Sequence, residues 1–236
     1  MLAIPAPTDF DLKFRLFRVP VRVHPLFWLA MALIGWQGRE VRFTLVFIAC
    51  GFISIMVHEF GHALMSRVFG CRPSVVLYGL GGLCASEAER QKPWQRFLVI
   101  AAGPGAGLLF FGLIFAGLAA TKRSSLSMLG EFALQQLLFI NLVWSLLNLL
   151  PIWPLDGGQL TGVVTTAISR PRGMQWTHIL SMIVAGGLAF FCFQRQMVIQ
   201  AIFLGYFALI NFQQLQLQRF RSSPGSFDDD ADWWKK

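Results

Sequence analysis

Six apolar runs, at 24–38, 43–66, 96–120, 131–150, 176–194 and 197–217, govern what this chain can fold into. A helix that crosses a bilayer needs about 20 consecutive apolar residues. In lipid only helices and closed barrels satisfy their backbone polar groups internally. The first run is the shortest of the six. Composition points the same way, with 55% hydrophobic and 14% charged residues, against about 25% charged in an ordinary soluble domain. The expected fold is an α-helical polytopic membrane protein with about six transmembrane helices. Gly186-Gly187 in the fifth run would loosen that helix or allow close helix packing.

Charge orients the expected helices. With the N-terminus in the cytoplasm, 15 of the 20 Lys and Arg fall on the cytoplasmic side, and Arg39, Arg42, Lys122, Arg123 and Arg195 fall on the other. That asymmetry places both termini in the cytoplasm of a multi-pass inner-membrane protein. The net charge of +8 is then a property of the cytoplasmic ends. No basic patch interleaved with aromatics is present, so nucleic acid is not an expected partner. Residues 1–23 carry Lys13, Arg15, Arg18 and Arg22 without a long apolar stretch or a small-residue cleavage site. They read as a cytoplasmic segment and not as a removed leader. Residues 24–220 form the expected membrane domain, and the short acidic tail at 221–236 is expected to be disordered. The four cysteines have no Cys-x-x-Cys spacing, and no disulfide is expected.

Segment 71–93, CRPSVVLYGLGGLCASEAERQKP, breaks the helical pattern. Val75, Val76, Leu77 and Tyr78 favour a strand, whereas Gly79, Gly81 and Gly82 interrupt a helix. A hairpin or edge strand near the cytoplasmic side is expected. Such backbone is tolerated at membrane depth only where protein or water surrounds it.

The second run holds the chemistry. Within ISIMVHEFGHALMS (53–66), His58, Glu59 and His62 form His-Glu-x-x-His. On a helix, residues i and i+4 share a face, so both imidazoles can reach one metal. Zinc lowers the pKa of a bound water to about 7, and an adjacent glutamate can take up the proton. The alternative is a chance match. An acid at mid-membrane costs at least about 2.5 kcal/mol, which argues against unused polar groups here.

A catalytic zinc takes three protein ligands and keeps an open position. Asp156, in NLLPIWPLDGGQL (148–160), is the one aspartate away from the termini. A simpler role for it is to N-cap a helix over 157–169. Glu87 and Glu89 are rival third ligands, although Arg90 and Lys92 beside them suggest a solvated turn. A third histidine six residues after the second is excluded, because Val68 stands there. His24 and His178 are lone histidines near helix ends and read as packing residues.

His58–His62, AAGPGAG (101–107) and NLLPIWPLDGG (148–158) together resemble the site-2 protease family of intramembrane zinc metalloproteases. The likeness runs from FRVPVRVHPLFWL (17–29) through PLDGG (154–158), and the compact layout is similar to the bacterial sporulation-factor-processing branch. The resemblance implies one Zn2+ per chain on His58, His62 and Asp156, with Glu59 as catalytic base. It implies that the strand region, at Leu80, Gly81 and Gly82, pairs with an unwound substrate. Asn148 would contact a substrate carbonyl. The implied substrates are single-span membrane proteins, cut near the cytoplasmic side. One departure is GPGAG, where that branch often has Asn after Gly-Pro; we read it as a packing difference and assign no function to Gly103 or Gly107. PDZ-like or CBS modules find no room in the sequence, so regulation through them is not expected. The competing functions are a zinc transporter, which would need ligands along a path, and a relative that binds membrane proteins without cleaving them.

Overall fold

The structure, a computed structural model, describes residues 6–36, 38, 40–79, 81–86, 91–120 and 127–221. The chain divides into two compact units, Met1–Leu149 and Leu150–Lys236. The first contains β1 (Leu12–Leu16), β2 (Val19–Val23), α1 (Pro25–Gly35), α2 (Val41–Val68), β3 (Ser74–Tyr78), β4 (Gly81–Ala85), α3 (Pro93–Ala120) and α4 (Met128–Asn148). The second contains α5 (Asp156–Ile168), α6 (Gly173–Gln194) and α7 (Val198–Arg221).

Five helices, α2, α3, α4, α6 and α7, are long and apolar enough to cross a membrane. The first expected span is α1, a helix of 11 residues, about 16 Å long against a hydrocarbon core of about 30 Å. His24 starts α1: its Nδ1 accepts from the Leu26 N–H at 3.2 Å, and Pro25 takes the first helical position.

The expected hairpin at 71–93 is β3 and β4, paired antiparallel from Ser74↔Ala85 to Tyr78↔Gly81. Gly79 turns the chain with φ +54°, a conformation open to glycine without strain. Two further strands, not expected from the sequence, complete a sheet of order β1-β2-β3-β4. Phe17 and Arg18, both at positive φ, close the β1–β2 hairpin in the manner of a two-residue turn. β2 then runs parallel to β3, with α1 and α2 as the crossover. β4 is left at the edge of the sheet, with one side unpaired by any described strand.

The sheet buries one face. Val19, Val21 and Val23 alternate with Pro20 and Arg22 and pack with Val75 and Leu77 against Phe27, Ile55, Met56, Phe60 and Ala63 of α1 and α2. α2 meets α3 through small residues. A Cβ on Gly61 would lie 2.2 Å from the Ala102 carbonyl oxygen and 2.8 Å from the Ala106 Cβ. α2 meets α4 through polar groups, the Asn141 Nδ2 donating to Ser54 Oγ at 2.8 Å and to the Leu137 carbonyl at 2.8 Å. Such pairing keeps the amide's N–H groups from being stranded between apolar helices.

In the second unit, α5 and α6 form a tight pair. Gly173 is close enough to Thr166 that a Cβ would stand 2.5 Å from its Cα, and Thr165 and Thr177 share a hydrogen bond of 2.8 Å. α6 runs unbroken through Gly186 and Gly187, and neither glycine has an atom within 4 Å of where a Cβ would be. They neither break α6 nor allow a close approach, because no described neighbour packs there.

Gly61→Ala puts a methyl group into the Ala102 carbonyl and should destabilise the fold by about 1–3 kcal/mol. Gly112→Ala on α3, where a Cβ meets open space, should leave stability unchanged. Thermal unfolding of the two variants in detergent separates the cases, and equal midpoints would show that the α2–α3 approach is looser than described.

Candidate metal centre

His58, Glu59 and His62 lie in the C-terminal half of α2 and are 3%, 5% and 8% exposed. Their burial follows from helical spacing. Ser54, His58, His62 and Ser66 recur every four residues and mark one polar stripe facing the protein interior. His58 Nε2 and His62 Nε2 are 3.3 Å apart, with the ring planes at 78°. The two imidazoles therefore aim corresponding nitrogens at one region.

The tautomer of His62 follows from its second nitrogen. Nδ1 lies 2.8 Å from the Val99 carbonyl oxygen of α3. A carbonyl can only accept, so Nδ1 carries the proton and Nε2 presents a lone pair toward His58. Metal-ligating histidines are commonly oriented in this way.

Gly103 makes room for that nitrogen. A Cβ at Gly103 would lie 2.1 Å from His62 Nε2 and 2.3 Å from its Cε1. The ring, held at Nδ1, has little freedom to retreat. Gly103 is thus bare backbone beside His62 Nε2, a role not expected from the sequence. The signal available was the small-residue repeat Gly103-Pro104-Gly105-Ala106-Gly107 within an apolar helix. Gly107 packs similarly, its Cβ position being 2.2 Å from Ser145 Oγ on α4.

Glu59 faces β4. A Cβ at Gly82 would meet Glu59 Cγ at 2.4 Å and Oε1 at 2.6 Å. A Cβ at Gly81 would meet the Trp144 ring at 3.3 Å. The two glycines let the edge strand run between a carboxylate and an indole, with no side chain to hold them off. Leu80 lies outside the described residues, as do Glu87 and Glu89. Asn148 ends α4, half-buried, and its Nδ2 donates to the Trp144 carbonyl at 2.9 Å, which leaves the amide's second N–H and its oxygen for other partners.

Asp156 is 8% exposed and is the first residue of α5. It is not the N-cap considered above: Leu155 occupies that position, because the helix starts one residue earlier than expected. A carboxylate in the first turn also suits the positive end of the helix dipole. Gly158 permits this start. Its Cβ would fall 2.3 Å from the Trp153 nitrogen and 2.4 Å from the Ile152 carbonyl carbon, so the first turn of α5 rests directly on the preceding backbone. Asp11 has other duties. It accepts from Thr8 Oγ1 at 2.7 Å and Arg22 Nη1 at 3.0 Å, and the Thr8 hydrogen bond leads in holding its carboxyl down to about 2.

Among the described residues, His58 and His62 in the first unit and Asp156 in the second are each buried, and each offers one donor atom of a kind that holds a metal. Two imidazole nitrogens and a carboxylate oxygen suit zinc. The fit rests on the set of donors, on the fixed tautomer of His62 and on the glycine that clears its Nε2.

Gly103→Ala should displace the His62 ring and lower the metal content of the purified protein about tenfold, as loss of ligand orientation commonly does. Gly105→Ala, with open space around its Cβ position, should retain full content. Metal analysis of both variants decides between them, and full content in Gly103→Ala would remove the histidine pair from metal binding.

The sequence profile of Peptidase family M50 matches residues 46–128 and 118–192. Stage IV sporulation protein FB of Bacillus subtilis is 32% identical over 164 residues, covering 69% of this chain and 52% of that protein. Zinc metalloprotease MJ0392 of Methanocaldococcus jannaschii is 24% identical over 151 residues, covering 62% of this chain and 43% of that protein. The chain thus spans about half or less of the length of these curated relatives. Among solved structures, the Site-2 Protease from Methanocaldococcus jannaschii has the same fold, with a TM-score of 0.64 at 17% identity, covering 87% of this chain and 95% of that one. With five helices suited to crossing a membrane and a profile match over more than half its length, the chain belongs to Peptidase family M50.

Proposed function

We propose that this chain is an intramembrane zinc metalloendopeptidase that hydrolyses peptide bonds within the transmembrane segments of membrane-anchored proteins. The observation that carries the reading is the packing of the Glu59 carboxylate against the glycine backbone of an edge strand, one residue from a pair of opposed imidazoles. A hydrolytic base, two metal ligands and a place for extended backbone then share one short stretch of structure.

His58, His62 and Asp156 hold the zinc. When bound, zinc supplies a water activated near neutral pH and polarises the scissile carbonyl. Glu59 accepts the proton of the attacking water on a carboxylate oxygen and returns it to the leaving nitrogen. An intact substrate helix shields its amides, so the substrate unwinds before it is cut. β4, last in the sheet order, offers backbone hydrogen bonds to the opened segment, with Leu80, Gly81 and Gly82 along the contact and Asn148 donating to a substrate carbonyl. The asymmetry of Lys and Arg supports cytoplasmic termini in an inner membrane and cleavage toward the cytoplasmic side. Residues 24–220 form the protease domain, flanked by the segments 1–23 and 221–236. With four histidines in the chain, the donor set favours hydrolysis at one metal over transport, which would need successive sites. Five helices suited to crossing a membrane support membrane-anchored substrates as a class.

Glu59→Gln should keep zinc, because the carboxylate is not a ligand, and lose cleavage of a tagged single-span substrate by at least about 100-fold. Zinc analysis beside a cleavage assay in detergent reads both quantities. Wild-type turnover in this variant would end the proposed role of Glu59.

Asp156→Ala should reduce zinc and cleavage together, while Glu87→Ala leaves both near wild type. The same two assays apply. The reverse pattern would transfer the third ligand to segment 71–93.

A further inference from the structure

α6 and α7 carry buried polar side chains that the proposed chemistry does not use. His178, Ser181 and Asn211 are 2%, 0% and 0% exposed. Ser181 and Asn211 hydrogen-bond the backbone of one residue, Trp153, and His178 hydrogen-bonds Asn211. The Trp153 N–H donates to Ser181 Oγ at 2.9 Å. The Trp153 carbonyl accepts from Asn211 Nδ2 at 2.7 Å. Asn211 Nδ2 also donates to the Phe207 carbonyl at 2.8 Å. With both N–H groups of the amide spent on carbonyls, Asn211 Oδ1 faces His178 Nδ1 at 2.8 Å, so the imidazole donates there. The His178 ring lies edge-on to the Trp153 ring, 5.8 Å between centroids.

Trp153 precedes Asp156 by three residues, and little slack separates them. Leu155 N–H donates to the Ile152 carbonyl at 2.8 Å. Gln159 Nε2 reaches back to the Pro154 carbonyl at 3.2 Å, and Gly158 rests against Ile152 and Trp153. The backbone at Trp153 is therefore gripped by α6 on its N–H and by α7 on its carbonyl, and Asp156 follows through a constrained turn.

We propose that His178, Ser181 and Asn211 are positioning residues that clamp the Trp153 backbone and thereby set the place of the Asp156 carboxylate. The inference rests on the reading of Asp156 as a zinc ligand. The clamp touches neither metal nor substrate. Its effect is the orientation of a ligand, and so it is read in metal affinity. A network that served only to join α6 to α7 would act on stability and leave affinity alone.

The experiment is zinc affinity by chelator competition on the purified full chain, with Asn211→Leu and Ser181→Ala made in the wild-type and Asp156→Asn backgrounds. Asn211→Leu should weaken zinc binding about tenfold in the wild type and by less than about twofold once Asp156 is changed, because two changes acting through one group are not additive. Ser181→Ala removes one hydrogen bond with little change of shape and should show the same pattern, about threefold against no change. His178→Asn, which keeps a donor near the position of Nδ1, should bind more tightly than His178→Leu. Should Asn211→Leu fail to fold, Ser181→Ala and the two His178 variants decide the matter. Wild-type affinity in the folded variants, or equal losses in both backgrounds, would overturn the clamp while leaving Asp156 as a ligand. Unchanged affinity in Asp156→Asn alone would overturn the ligand reading, and the clamp with it.

Discussion

The hydrogen bond from His62 Nδ1 to the Val99 carbonyl decides what the polar stripe of α2 can do. An imidazole buried among apolar helices must place both ring nitrogens. With Nδ1 spent on α3, Nε2 is left facing His58 Nε2 at 3.3 Å. Had Nε2 been the donor, the pair would offer a metal one lone pair fewer. The bond also requires α3 to lie close to α2, which Gly61 permits by giving way to the Ala102 carbonyl. Pro104 sits one residue beyond the Gly103 that clears the ring, and it removes one backbone donor from that turn of α3.

Missing side chains shape the site as much as those present. Gly103 opens space at His62, Gly82 at Glu59, and Gly158 at the backbone that leads into α5. Each has a neighbour within 2.4 Å of where a Cβ would stand. In lipid-like surroundings, where helices gain little from hydrophobic association, contact at this range comes from small residues. The same economy places β4: a strand with side chains at 81 and 82 would be pushed off α2 and α4.

Much of this was legible in the sequence. The five long helices follow the apolar runs, and the His-Glu-x-x-His spacing placed two nitrogens on one helical face. The hairpin at 74–85 was visible in the β-branched run broken by glycines. The first two strands are not legible, because Val19, Val21 and Val23 alternate over only five residues around Pro20, a pattern too short to separate from a polar lead-in to a helix. The run at 24–38 suggests a span, whereas its helix covers only Pro25–Gly35, 11 residues. The simpler role weighed for Asp156, an N-cap for 157–169, does not hold, because the helix starts at Asp156 with Leu155 as its N-cap. The partners of His178 could not be read at all, because Asn211 is 33 residues away and no local pattern links them.

Zinc held through nitrogen and oxygen is the proposed compensation for the polar motif on α2. X-ray absorption at the zinc edge of the purified, zinc-loaded protein tests this most directly. It should show two imidazoles among nitrogen and oxygen neighbours at about 2.0–2.2 Å and no sulfur. A sulfur shell near 2.3 Å would place the metal on cysteine and contradict the account, and so would a spectrum without a pair of imidazoles.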